Sequence, residues 1–178
     1  MASLVLYIAT SLDGFIARAD GSLDWLTRFE SAGTDYGYRE FYGTVGALLM
    51  GRKTYDAALS LGPWPNQDRP CYVLTHLATE LPHVTALSGP LPEIVPRLQL
   101  NHDRVWLVGG GSLVSQALRN HLLDEIIVSI MPVLLGDGIP LVGETMEDVR
   151  LNHIGTKSYD GGVMQLTYRP VYSTSEAR

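Results

Sequence analysis

The stretch "VGALLMGRKTYD", residues 45–56, carries Gly46 and Gly51 five residues apart, with Arg52, Lys53 and Thr54 behind them. A P-loop has a similar outline, G-x-x-x-x-G-K-[ST], but it needs a loop whose amides wrap phosphates and a lysine directly after the second glycine. Here the intervening residues are Ala47, Leu48, Leu49 and Met50, and Arg52 stands where the lysine should be. Four apolar side chains in a row are costly in a solvated loop but suit a strand buried on both faces of a parallel sheet. The stretch therefore reads as strand, glycine turn and helix start. Gly46 marks the start of the strand, and any phosphate chemistry begins only at Gly51.

The same pattern returns in "VWLVGGGSLVSQAL", residues 105–118. A strand is expected over 104–108, a sharp turn at Gly109, Gly110 and Gly111, and a helix over 112–119 with Leu113, Val114, Ala117 and Leu118 on its apolar face. Elsewhere "LVLYIA", residues 4–9, reads as a first buried strand, and 10–26, with Asp-Gly pairs at 13–14 and 20–21, as a turn-rich loop. A helix is expected within 34–45, with Thr34 as N-cap and Gly43 as terminator. Strands follow at 71–75 and 83–87, then a helix over 91–100 weakened by Pro96, then a strand over 125–135 broken by Gly-Asp-Gly. Two alternating segments around Asp160, Gly161 and Gly162 form a hairpin signal. Strand and helix alternate early and strands pair late. The expected fold is a three-layer α/β/α arrangement around a mostly parallel central sheet with an antiparallel C-terminal hairpin. Residues 1–172 form one domain on this reading, and the polar tail "STSEAR", 173–178, frays.

Composition narrows the function. Thirteen Lys and Arg against nineteen Asp and Glu give a net charge of −6, which repels a polyanion and argues against nucleic acid as a partner. A single cysteine, Cys71, rules out an intrachain disulfide, and the five histidines show no metal-binding spacing, so no metal is expected. The first apolar run is too short for a membrane span, and a cytoplasmic location is expected.

The two glycine turns belong together. Each leaves the end of a buried strand and opens a helix, and parallel strands place such ends on one edge of the sheet. There two helix N-termini can aim free amides at a single anion. A dinucleotide with a pyrophosphate and an extra phosphate meets that description: glycine admits close backbone approach, Arg52 and Lys53 add charge, and Thr54 and Ser112 add hydroxyls. Cations at a helix N-terminus oppose the dipole, which suggests a compensating anion; solvated surface charge is the bland alternative.

Taken together, "LYIATSLDGFIA", "MGRKTYD", "VWLVGGGSLVSQAL" and "IMPVLLGDGIPL" resemble the dihydrofolate-reductase-like superfamily, and most closely the reductase domain of the bifunctional riboflavin-biosynthesis deaminase-reductases, in a stand-alone form. The resemblance spans about residues 3–170 in order and spacing. It implies that fold and an NADPH-dependent hydride transfer to a small heterocycle, pterin-like or pyrimidine-like. It places Gly51, Arg52, Lys53 and Thr54 near the adenosine phosphates. Gly109, Gly110 and Gly111, with Val108 before them and Ser112 and Leu113 after, approach the pyrophosphate and nicotinamide. Ala9 and Ile16 flank the nicotinamide, and Leu74, Thr75 and His76 lie at the adenine end. A homodimer through the strand at 126–135 and the tail hairpin is also implied.

The resemblance points to Asp35 as the catalytic carboxylate, on the helix before the M-G-R strand, where a buried acid would hold the substrate and steer a proton. An Asp that merely complements a helix dipole is the alternative, with Asp13 and Asp24 as competitors for the role. Two departures separate the chain from folate reductases: the first loop lacks their M-P-W segment, leaving Trp25 as a lid or dimer residue, and "VLLGDGIPL" belongs to the riboflavin-type branch. Arg18 and Arg39 could reach a substrate's acidic group or simply be solvated. An NADP(H)-binding sensor or scaffold without turnover is the competing reading.

Overall fold

The computed structural model describes residues 1–30, 33–65, 68–76, 80–143 and 148–172, so the tail expected to fray lies outside the described residues. In chain order the elements are β1 (Ser3–Ser11), β2 (Phe15–Ala17), α1 (Asp24–Glu30), α2 (Tyr38–Tyr42), β3 (Ala47–Gly51), α3 (Arg52–Ser60), β4 (Cys71–Leu74) and β5 (Thr85–Leu87). They continue with α4 (Leu91–Gln99), β6 (Arg104–Gly109), α5 (Gly111–Arg119), β7 (Glu125–Met131), β8 (Ile139–Pro140), β9 (Arg150–Ser158) and β10 (Met164–Val171). Eight strands form one sheet in the order β5-β4-β3-β6-β1-β7-β10-β9. The pairings from β5 to β7 are parallel, and β10 then runs antiparallel to both β7 and β9.

Alternation along the strands builds the two covered faces. Leu49, Leu4, Leu6, Val105 and Leu107 turn to one face, where α4 and α5 cover them with Leu91, Ile94, Leu98, Leu113 and Val114. Leu48, Met50, Val5, Val73 and Trp106 turn to the other, under Phe41 of α2 and Tyr55 of α3. Ala47, Leu48 and Leu49 are fully buried, as a strand covered on both sides requires. The anticipated α/β/α fold is the one found. α4 runs through Pro96 because Ile94, Val95 and Leu98 bury against the sheet, and that burial outweighs the lost backbone hydrogen bond.

Four local expectations are corrected. The helix expected within 34–45 is only Tyr38–Tyr42, and Thr34 does not cap it; the chain enters through a turn with Tyr36 at φ 49 and Gly37 at φ 80. The 10–26 segment is not all turn, since it holds β2 and the start of α1. β7 stops at Met131, where Pro132 has no N–H for the ladder. Trp25 is only 1% exposed, packed on Met131 and Val163, so it is a core residue and neither a lid nor an interface residue.

A smaller sheet pairs β2 with β8 and folds back over the start of α5. Asp13 ties it down: its carboxylate accepts the Ser11 hydroxyl (2.6 Å) and the amides of Leu135 (3.1 Å) and Gly136 (2.7 Å). These bonds, the Ser11 hydroxyl first, push the Asp13 carboxyl down to about 2. No helix among the described residues is long and apolar enough to cross a membrane.

Candidate active site

The two glycine turns are adjacent. β3 and β6 are neighbours in the sheet, and Met50 is registered against Gly109. A Cβ built on Gly110 would stand 3.5 Å from Thr54 Oγ1 and 4.0 Å from Ile16 Cδ1, and one on Gly51 would stand 3.5 Å from Leu113 Cδ1. Gly109 has φ 130, a conformation side chains rarely adopt, and its peptide bond to Gly110 is cis. A Cβ on Gly111 would run into the Pro140 carbonyl of β8. The helices α3 and α5 start at Gly51 and Gly110 with no side-chain cap on either, leaving first-turn amides available at one edge of the sheet.

Around this cleft the structure brings together Gly51, Thr54, Gly109, Gly110, Leu113 and Ile16. Val108 precedes the turn in β6, and Ser112, just beyond Gly111, is exposed in the first turn of α5. Leu74 ends β4, the neighbour of β3; Thr75 follows it, buried, with its amide donating to the Leu87 carbonyl (2.9 Å), and His76 beyond is exposed. Arg52 is more constrained than expected: it forms an ion pair with Asp56 one turn along α3 (2.8 Å). Its position against the helix dipole is therefore already offset within the helix, and it no longer implies an anion by itself. Lys53 is exposed and has no ion-pair partner among the described residues.

Beside the cleft lies a cavity of about 460 Å³. Ala9, Ser129 and Met131 line its sheet side, Leu26 and Phe29 come from α1, and Tyr7, Tyr36 and Tyr38 add aromatic surface. Asp35 and Arg39 are its charged lining residues. The Asp35 side chain is 43% exposed, so it is not the buried acid anticipated. Its carboxylate accepts the amides of Gly37 (3.2 Å) and Arg39 (3.1 Å), with the Arg39 guanidinium 3.9 Å away. The Arg39 and Gly37 amides hold the Asp35 carboxyl below the ordinary carboxylate range, so it is ionised at neutral pH. Burial pushes the Tyr7 phenol up to about 12 and keeps it protonated. Asp13 is engaged in the loop tie described above, and Asp24 pairs with Arg18 (2.6 Å), away from the cavity lining.

Sequence reasoning passed over Tyr7, Phe29, Tyr36, Tyr38, Ser129 and Met131. Ser129 had a readable signal: it is a lone hydroxyl inside the apolar strand "EIIVSIM", where a polar inward position asks for a partner. The tyrosines had none, because residues that build a cavity wall look the same in sequence as residues that fill a core.

Residues 2–165 match the family model of the RibD C-terminal domain. The chain belongs to the RibD C-terminal domain family. It is 42% identical over 168 residues to the uncharacterized protein YwjB of Bacillus subtilis (strain 168), covering 92% of this chain and 95% of YwjB. Among solved structures, a Shewanella sp. PV-4 protein named for riboflavin biosynthesis superposes with a TM-score of 0.86 at 32% identity, covering 96% of this chain and 99% of that one. Dihydrofolate reductase from Enterococcus faecalis, complexed with NADP(H) and RAB-propyl, superposes with a TM-score of 0.65 at 17% identity over 94% and 96% of the two chains. That likeness supports the fold. The RibD C-terminal domain here thus has the dihydrofolate-reductase-like architecture, with its glycine cleft and aromatic cavity at the C-terminal edge of the parallel strands.

Proposed function

We propose that this RibD C-terminal-type chain is an NADPH-dependent reductase that transfers hydride to a flat heterocycle, pterin-like or pyrimidine-like. The carrying observation is the juxtaposition of two uncapped helix N-termini with an aromatic cavity that presents an ionised carboxylate. Close glycine backbone at 51 and 109–111 leaves room for a pyrophosphate, and Lys53 is the basic side chain free to meet a phosphate. When bound, NADPH supplies the hydride.

The chain's own residues do the rest. Tyr7, Phe29, Tyr36 and Tyr38 accept the face or edge of a planar ring, and the Asp35 carboxylate accepts hydrogen bonds from an amino or ring N–H edge. An ionised Asp35 fixes the ring's orientation; the proton that completes reduction comes through water or a hydroxyl near it, such as Tyr7 or Ser129.

The same ionisation favours one competing reading, an NADP(H)-binding sensor or scaffold without turnover, since Asp35 offers no acidic proton at neutral pH. Loss of NADPH absorbance with dihydrofolate, or with the ribosylaminopyrimidine phosphate of riboflavin synthesis, separates the two. NADPH binding without oxidation by either substrate favours the sensor reading, and no NADPH binding rejects both.

The single buried thiol suits the reducing cytoplasm, which we propose as the compartment. We also propose a homodimer. β7 has both edges paired within the chain, so the contact falls to β9, the edge strand of the C-terminal hairpin, which exposes Leu151 and Ile154. Light scattering of wild type and Ile154→Lys tests it: a dimer that the lysine dissociates supports the assignment, and a wild-type monomer rejects it.

A further inference from the structure

Gln165 does not line the cavity, yet it is a polar side chain only 6% exposed near the start of β10. It is registered opposite Ser129, and Ser129 opposite Ala9, so a single row across the sheet joins it to the cavity wall. Its Nε2 donates to the Tyr36 carbonyl (3.0 Å) and to Ser129 Oγ (3.0 Å), with Tyr7 Oη at 3.4 Å. The Tyr7 hydroxyl donates to the same Tyr36 carbonyl (3.1 Å), so both lone pairs of that oxygen are engaged from the sheet side. Tyr159 closes the set, donating to Gln165 Oε1 (3.4 Å).

The Tyr36 carbonyl and the Gly37 N–H belong to one peptide unit. In a planar trans peptide the two point in opposite directions. Anchoring the carbonyl against the sheet therefore turns the amide outward, where it donates to Asp35 Oδ1 (3.2 Å). The local backbone does not favour this turn unaided, because Tyr36 sits at φ 49, a left-handed conformation that a side chain disfavours. Something outside the turn must hold it, and the buried amide of Gln165 is placed to do so.

We propose that Gln165 is a positioning residue for the substrate-holding carboxylate: by gripping the Tyr36 carbonyl it directs the Gly37 amide onto Asp35. This rests on the reading of Asp35 as a substrate-holding group, but its test observes Asp35 directly and needs no turnover. The charged and titratable groups facing Asp35 are Arg39 and Tyr38 on α2, Tyr7 on β1 and Tyr159 between β9 and β10. The Tyr7, Tyr38 and Tyr159 phenols are shifted upward by burial and stay neutral where Asp35 titrates.

The experiment is an NMR titration of the Asp35 carboxyl in the full chain, comparing wild type with Gln165→Met and Tyr7→Phe. With Gln165→Met the Asp35 pKa rises toward the ordinary carboxylate value. With Tyr7→Phe, which leaves the Gln165 donor in place, it rises less. A folded Gln165→Met protein with an unchanged Asp35 pKa overturns the proposal. If Gln165→Met does not fold, Gln165→Asn decides, since its amide falls one methylene short of the Tyr36 carbonyl: a rise in the Asp35 pKa supports the proposal and no change overturns it. Failure of the reductase reading would show separately, as absent NADPH oxidation in the wild type.

Discussion

Met50 and Gly109 face each other in the register of β3 and β6, so the two glycine turns leave the sheet side by side. That adjacency makes Gly110 a sharp probe of the cleft. At Gly110 (φ −87) a methyl group would meet Thr54 Oγ1 at 3.5 Å, an ordinary contact that the fold tolerates. Gly110→Ala is therefore expected to keep its thermal midpoint while weakening NADPH roughly tenfold or more, about 1.4 kcal/mol, by filling the approach to the backbone. Calorimetric titration beside a melting curve checks this; equal affinity in the variant places the cofactor elsewhere.

Arg52 and Lys53 differ in what they have to give. Arg52 is already paired with Asp56, whereas Lys53 is exposed beside the same helix N-terminus. Lys53→Ala should weaken NADPH by about 1.5–3 kcal/mol, the range of a charge-assisted bond, and NADH by much less. Arg52→Ala should cost less than Lys53→Ala. Equal losses for the two cofactors would remove the extra phosphate from the reading.

Asp35→Asn preserves shape but removes the charge, and an amide can present only one acceptor oxygen. Turnover at neutral pH, measured as kcat/KM, should fall by about two orders of magnitude, the scale of lost substrate positioning, with NADPH affinity unchanged. A fall in NADPH affinity instead would mean that the carboxylate serves the fold of the α2 turn and not the substrate.

Asp13 gives a prediction about acid. Its folded pKa, about 2, lies below the ordinary 3.8, so the native state binds this proton less readily than the unfolded chain does. Its contribution to stability is fully present above about pH 4 and is lost as pH falls toward 2. Asp13→Ala should lower stability at neutral pH and flatten the acid dependence in that window, read from urea melts at several pH values. An unchanged acid dependence would contradict the role of its three hydrogen bonds.

The core offers a control. Leu49 is fully buried, and Leu49→Ala should cost about 2–5 kcal/mol by urea unfolding, with NADPH affinity retained where the protein stays folded.

Much of this molecule was legible because its sheet is buried on both faces. Apolar runs such as 47–50 and 105–108 can hardly be anything but inner strands, and glycine turns at their ends place the cleft. The α2 region was less legible. Thr34 and Asp35 both look like helix starts, but the turn at 35–37 is set by Tyr7 and Gln165, which are distant in sequence. A local reading has no access to a conformation imposed from across the sheet. The partner of Arg52 was overlooked for a nearer reason, since Asp56 lies on the same helix face one turn away and such i,i+4 pairs can be read from spacing alone.

The Asp13 tie joins positions separated by 122 residues. Hydrogen bonds alone cannot offset the entropy of closing so long a loop in a disordered chain. The β2–β8 ribbon must therefore wait until β1 and β7 have paired and brought its two halves within reach. In kinetic terms the sheet is expected to assemble first, and the rim of the cleft is among the last parts of the molecule to form and among the first to open.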